Sequence, residues 1–324
     1  MYKILVTGAG GFIGSHLTEY LVKKGHKVKA FIHYNSRNFW GWLEKSECIN
    51  DIEIYSGDIR DYDSVYGSMK GVDYVFHLAA LIGIPYSYYS PLAYIKTNIE
   101  GTYNILQSAR ILETKRVIHV STSEVYGTAQ HIPINENHPI NPQSPYAATK
   151  ASADYLVKTF SLSFNLPVTV VRPFNTFGPR QSARAVIPTI ISQALNDKKS
   201  VKLGNLDSRR DFNFVMNTVE GMYELGLHSN TLGNVINIGT ALDISIRDLV
   251  DLISRLTKVD LNIEVESKRI RPRKSEVQRL VCDYSKAQNL TGWQPRYTLE
   301  ESMEQTINWF RNNLYIYKDQ IYNV

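Results

Sequence analysis

The 324-residue sequence predicts an α/β fold, a doubly wound parallel sheet followed by a smaller mixed lobe toward the C-terminal end. Three observations predict it. Short apolar runs alternate with helical periodicity as far as residue 173. The first run ends in a glycine-rich turn that opens directly into a helix. Beyond Pro173 the alternation loosens into short runs broken by Pro179 and Pro188. Strands joined by crossover helices form a parallel sheet covered on both faces, the Rossmann-type arrangement. The expected division is a dinucleotide-binding domain over 1–173 and a mainly substrate-binding lobe over 174–324, with some later segments rejoining the main sheet.

Residues 2–7 are the first strand, ending in Gly8-Ala9-Gly10-Gly11-Phe12-Ile13-Gly14. Ile13, Leu17, Tyr20 and Leu21 then recur on one helical face, and Gly25 stops the helix. Gly8, Gly11 and Gly14 suit a sharp turn, close approach of backbone to a pyrophosphate, and tight helix–strand packing. The pyrophosphate would rest on the helix N-terminus. A lone glycine pattern is a weak signal, but here a strand precedes it and a helix follows. Residues 28–32 are the second strand. An acid at its end would hold the ribose 2′-hydroxyl of NAD, yet the chain reads His33-Tyr34-Asn35-Ser36-Arg37. Asn35, Ser36 and Arg37 suit a 2′-phosphate, which tilts the expectation toward NADP. The alternative is a solvated Arg37 and NAD held by other contacts.

Residues 52–60 carry a third strand with Asp58 at its carboxyl end. Asp58 reads either as an acceptor for the adenine amino group, with Ile59 on the ring, or as a cap for the next helix. Residues 72–80 are the fourth strand, and small Ala79 and Ala80 leave room for ribose and nicotinamide. Residues 91–111 read as one long helix with Leu92, Ile95, Ile99, Tyr103 and Leu106 on one face. Residues 116–120 are the fifth strand. Ser121, Thr122, Ser123 and Glu124 follow at its carboxyl end, where open parallel sheets bind ligands. His119, inside the apolar run, reads as packed core. Residues 168–172 are a sixth strand, 235–238 another, and 246–253 an amphipathic helix.

Tyr146 and Lys150 stand four apart, on one face of a helix. A free tyrosine titrates at about 10, and a cation beside it favours the phenolate. A phenolate there would take the proton from a sugar or alcohol hydroxyl. Alone, the pair is as well explained by an ordinary helix surface. Next to a dinucleotide site it supplies half of a hydride transfer.

Composition sets the outer bounds. The length and 43% hydrophobic content allow a full core. A net charge of +5, not gathered into a run, does not imply nucleic acid. Cys48 and Cys282 have no metal-ligand spacing and read as free thiols of a reducing cytoplasm. Met1 leads straight into the first strand, so no signal peptide is expected. No apolar run of about 18 residues occurs, so no membrane span is expected.

With these pieces in hand, the chain resembles the extended short-chain dehydrogenase/reductases, in the nucleotide-sugar epimerase/dehydratase family, over nearly its whole length. The matching stretches are 7–14, His77-Leu78-Ala79-Ala80, Asn98, residues 121–127, Tyr146 with Lys150, and Arg172-Pro173-Phe174-Asn175-Thr176-Phe177-Gly178-Pro179. The resemblance implies a tightly held NAD(P) lined by Gly8, Gly11, Phe12, Ile13, Gly14, Asp58, Ile59, Leu78, Ala79, Ala80, Asn98, Ser121, Tyr146, Lys150 and Pro173. It implies a homodimer through the Tyr–Lys helix and its neighbour, and a nucleotide-diphosphate sugar as substrate. Asn175 matches the asparagine that contacts the diphosphate. Arg184, Arg210 and Arg271 are candidates for phosphate and sugar contacts.

Glu124 matches the glutamate with which 4,6-dehydratases take the proton from sugar C5. Thymidine-diphosphate-glucose dehydratases carry an Asp just before it. Ser123 stands there instead, as in GDP-mannose dehydratases, so Glu124 itself becomes the candidate carrier of the proton to the C6 oxygen. Residues 39–44 and 181–188 look closest to the N-acetylglucosamine-nucleotide 4,6-dehydratases of legionaminic-acid synthesis. In that chemistry Tyr146 removes the C4 hydroxyl proton, Lys150 keeps Tyr146 poised, and Thr122 or Ser121 bonds the C4 oxygen. UDP-glucuronate decarboxylase, 4-epimerase and a non-catalytic nucleotide sensor on the same fold stay open.

Overall fold

The computed structural model describes residues 1–196, 200–318 and 321–323. Its centre is a seven-stranded sheet. The strands are β1 (Lys3–Thr7), β2 (Lys27–His33), β3 (Ile52–Gly57), β4 (Tyr74–His77), β5 (Arg116–Val120), β6 (Val168–Pro173) and β7 (Val235–Ile238). Their order is β7-β6-β5-β4-β1-β2-β3, all parallel. The order reverses between β1 and β4, and a crevice opens there at the carboxyl ends of the strands. β5 and β6 are buried along their whole length, as strands covered on both faces must be.

The helices that matter for the site are α1 (Phe12–Lys23), α2 (Tyr62–Met69), α3 (Gly101–Ile111), α4 (Pro145–Phe164), α5 (Val186–Leu195), α6 (Val215–Leu227), α7 (Ile246–Thr257) and α8 (Leu299–Asn313). One apolar core joins the sheet to α1 and α5–α8, through Leu17, Ile190, Val219, Ile253 and Ile307. The other joins it to α2, α3 and α4, through Val65, Leu106 and Val157.

Two expectations change. The helix expected over 91–111 is interrupted: Pro91–Tyr94 is α-helical, Ile95–Glu100 is a π-helical stretch, and α3 follows. The wider turn rotates the pattern, so Leu106 is buried while Leu92, Ile95 and Tyr103 lie exposed. The cap of α2 is Asp61, whose carboxylate accepts from Asp63 N at 2.9 Å. Asp58 instead pairs with Arg60, which holds its carboxyl below the usual range.

The rest of the chain wraps the carboxyl ends of the strands. Arg209–Arg210 forms a short strand between Ile244–Ser245 and Arg279–Leu280. Residues 179–180 are bolted to α1: His16 Nε2 lies 3.1 Å from Pro179 O, and Arg180 reaches Ser15 Oγ and Glu19, both at 3.0 Å.

Candidate active site

The glycine turn behaves as its sequence demands. Gly8 has φ +70°, and a Cβ there would press on Ala79 N at 3.0 Å. A Cβ on Gly14 would overlap Gly8 O, so α1 lies flush on the end of β1. α1 starts after Gly11 with no capping side chain. Its first-turn N–H groups and the positive end of its dipole therefore face the crevice. Across the crevice the Ser121 hydroxyl is buried without a hydrogen-bond partner. An uncapped helix start, a close-packed glycine turn and an orphaned hydroxyl fit a dinucleotide.

The wall opposite α1 hangs on a neutral chain. Thr7 Oγ1 accepts from Leu78 N and Ala79 N, both at 3.1 Å, and meets His77 Nδ1 at 2.9 Å. His77 Nε2 meets Thr102 Oγ1 at 3.1 Å, and that hydroxyl donates to Asn98 O. Thr102 must then accept from Nε2–H, which leaves Nδ1 to accept from Thr7. Burial pushes the His77 pKa well down, in keeping with a neutral ring. Asn98 was expected on the cofactor. Instead its amide is committed to Leu81 O and Thr149 Oγ1, both at 3.0 Å, and its oxygen to Leu81 N at 2.8 Å. It braces the wall against α4. Asn35 is likewise committed to its own loop, accepting from Phe39 N and donating to Phe39 O, while Ser36 and Arg37 stay exposed.

α4 starts at Pro145 under the Ser144 cap, whose hydroxyl accepts from Ala147 N at 3.1 Å. Tyr146 and Lys150 are both buried. Their electrostatics correct the expectation. Burial raises the Tyr146 phenol; the Thr122 hydroxyl pulls it back and the Glu124 carboxylate pushes it up further. The lysine donates to Val120 O at 2.8 Å, and burial pulls its ammonium down to about 8, against the propping charge of Asp154. The protein alone thus holds Tyr146 as the phenol, and a phenolate must await added positive charge.

Glu124 sits on a 3₁₀ turn, Ser123–Tyr126, with its N–H held by Thr122 Oγ1 at 3.2 Å. Its side chain is buried and acts electrostatically on both Tyr146 and Arg210. It therefore lies between α4 and the strand that carries Arg210. Ser123 is buried in the same turn. Arg210 is buried with Glu276 at 3.3 Å, and Arg271 approaches the same carboxylate at 3.9 Å. Arg271 Nη1 and Asn175 Oδ1 are buried without hydrogen-bond partners. Arg184 is exposed and lies against Gly83 and Tyr94, on the far rim.

Sequence reasoning missed two buried carboxylates. Asp154, one turn beyond Lys150, is bound by Arg172 at 2.9 Å and approached by His119 Nε2 at 3.4 Å. Burial alone would raise its carboxyl, but His119 and Arg172 hold it low. The four-residue step from Lys150 was the available signal. Asp211 accepts from Thr240 N, Ala241 N and Cys282 N. It pins the strand that carries Arg210. Among the described residues no group of His, Cys, Asp and Glu is arranged to hold a metal, and no helix is long and apolar enough to cross a membrane.

The GDP-mannose 4,6 dehydratase family matches residues 5–306. A putative UDP-glucose 4-epimerase of Methanocaldococcus jannaschii is 31% identical, over 96% of this chain and 99% of the relative. A dTDP-glucose 4,6-dehydratase of Escherichia coli is 31% identical, over 96% of this chain and 93% of its own length. The structure of DesIV, a dTDP-glucose 4,6-dehydratase from Streptomyces venezuelae with NAD and TYD bound, superposes with a TM-score of 0.88 at 27% identity, covering 98% of this chain and 99% of that one.

Proposed function

The chain belongs to the GDP-mannose 4,6-dehydratase family of extended, NAD-dependent epimerases and dehydratases, and from that premise we propose that it dehydrates a GDP- or UDP-linked N-acetylglucosamine to the 4-keto-6-deoxy sugar. The observation that carries the reading is Glu124, a buried carboxylate close enough to act on the buried Tyr146 phenol.

Tyr146 takes the C4 hydroxyl proton, and Thr122 Oγ1, beside that phenol, bonds the C4 oxygen. Lys150 supplies positive charge from below and binds the cofactor ribose. A dinucleotide held by the Gly8–Gly14 turn, the start of α1 and Lys150 would supply a hydride acceptor for C4, a hydride donor for C6, and positive charge near the phenol. With C4 a ketone, the C5 proton is acidic, and Glu124 removes it. Ser123 offers no acid, so Glu124 passes that proton to the departing C6 hydroxyl and water leaves; Glu124, reprotonated from solvent, then returns a proton to C5 as hydride reaches C6, and Tyr146 gives its proton up to solvent. Each such acid–base contribution is worth about 100- to 10,000-fold. Arg210, Arg271 and Asn175 contact the diphosphate, Arg271 through an Nη1 that has no hydrogen-bond partner of its own, and Arg184 closes the rim. We take the cofactor as NAD, since Asn35 is tied into its loop and DesIV holds NAD. A mass spectrum of the cofactor released from the purified protein decides this.

Leu92, Ile95 and Tyr103 are exposed apolar residues on helical segments that contact α4, whose own Tyr155, Leu162 and Phe164 are exposed. They support a homodimer through these helices. The lack of a membrane-crossing helix among the described residues fits a cytoplasmic enzyme.

A 4-epimerase is the second reading, favoured by the Methanocaldococcus relative. Incubation with GDP- and UDP-N-acetylglucosamine tests both. Loss of one water supports the dehydratase; an isomer of unchanged mass supports the epimerase.

A further inference from the structure

We propose that Gln143 is a positioning residue that couples nucleotide binding on the 271–276 arm to the catalytic end of α4. The proposal rests on the reading of Arg210 and Arg271 as the nucleotide grip.

Three segments meet at this one residue, and a fourth reaches it through Ser275. Its backbone runs into Ser144, the cap of α4, with Tyr146 two residues further on. Its Oε1 accepts from Thr128 N at 2.5 Å, just past the turn that carries Glu124. Its Nε2 donates to Lys274 O at 2.9 Å, in the middle of the arm. Its own carbonyl accepts from Ser275 Oγ at 2.5 Å. Because Ser275 donates there, its oxygen must accept from Tyr88 OH at 2.7 Å. Tyr88 belongs to the short helix Ile84–Tyr89, which packs against Tyr146. The chain has made room for this junction. Gly127 has φ +65°, and a Cβ on it would overlap Asn141 O and lie 2.7 Å from Gln143 Oε1.

The arm is anchored at its far end too. Gln278 N donates to Thr128 Oγ1 at 3.3 Å, and Arg279–Leu280 continues as a strand beside Arg209–Arg210. Arg271, Glu276 and Arg210 thus form one charged unit whose middle, Lys274–Ser275, hangs on Gln143. A diphosphate that draws on Arg210 and Arg271 displaces Glu276 from them and pulls on the arm. The pull reaches α4 through Gln143. Small shifts there matter, since a misplacement of about 1 Å at a reacting centre costs on the order of 100-fold in rate.

The test is hydrogen exchange on the purified holoprotein with and without GDP or UDP, alongside calorimetric affinities for the same nucleotides. In the unaltered protein, nucleotide should slow exchange at residues 146–150. In Gln143→Ala the affinity should stay within about threefold while that slowing disappears, the signature of lost coupling between sites. Ser275→Ala breaks the same chain from the other side and should give the same result if Gln143→Ala folds poorly. Retained slowing in either folded variant overturns the proposal. So does a loss of nucleotide affinity beyond threefold, which would make Gln143 mere support for the arm. If the unaltered protein binds neither GDP nor UDP, the nucleotide grip itself fails, and the coupling with it.

Discussion

The cofactor side and the substrate side of the crevice are built from different materials. The cofactor cradle is backbone and neutral hydrogen bonds: the Gly8–Gly14 turn, the uncapped start of α1, and the Thr7–His77–Thr102 chain. The substrate side is charged side chains set against one another: Glu124 near Arg210, and Arg210 and Arg271 sharing Glu276. A cradle of backbone and neutral, buried hydrogen bonds offers little to retune. A charged cluster can be retuned residue by residue, which suits a lobe that must tell sugar nucleotides apart.

The comparison can be broken at its rigid end first. Gly14→Ala sets a Cβ against Gly8 O, where both sides are backbone and neither can yield. Overpacking of about 1–3 kcal/mol or more is expected, and the variant should purify without dinucleotide by absorbance and mass. Wild-type cofactor content would show that the cradle is not backbone-limited. On the charged side, Arg210→Lys keeps the charge and loses the planar fork. KM for the sugar nucleotide should rise about tenfold, at about 1.4 kcal/mol, with cofactor content unchanged. An unchanged KM would remove Arg210 from the grip.

A third test lies between the two regions. Lys150 must stay charged and burial has drawn it to about 8, with Asp154 holding it up. Activity should therefore fall as pH rises through about 8. Asp154→Asn removes the prop and should move that alkaline limb to lower pH. A limb that stays put would uncouple Asp154 from Lys150.

The smallest effect concerns stability. Burial, then Arg180, holds His16 down at about 4, below its ordinary 6.5. Between pH 6.5 and 4 the unfolded chain binds a proton that the folded chain refuses, so this group's share of stability falls as pH falls. Asp211, pushed up to about 6 by burial, works the other way. The comparison must therefore be between variants. His16→Gln keeps the donation to Pro179 O and should flatten the decline in melting temperature from pH 7 to 4. Equal slopes would contradict the assignment.

Legibility in the sequence divides along the same line. The sheet, the glycine turn and the Tyr146–Lys150 spacing follow from local periodicity, so they could be read directly. The π-helical stretch at Ile95–Glu100 could not, because it answers to the buried Asn98 and its distant partners Leu81 and Thr149. The raised Tyr146 phenol could not be read from the sequence for a related reason. Spacing puts two groups on one face, but burial and Val120 O decide their charge. Glu276 and Asp154 were invisible as partners, since each meets its arginine across a long chain separation or through tertiary packing.

The central claim is that Glu124 takes the C5 proton in the pocket that also holds Tyr146, and the glutamine variant tests it most directly. Purified Glu124→Gln, given GDP- or UDP-N-acetylglucosamine in deuterated water, should bind nucleotide and keep its dinucleotide. It should lose water from the sugar at least about 100-fold more slowly than the unaltered protein, which should give a dehydrated product carrying deuterium. A variant that dehydrates at full speed would contradict the account, as would an unaltered protein that returns only an isomer of the same mass.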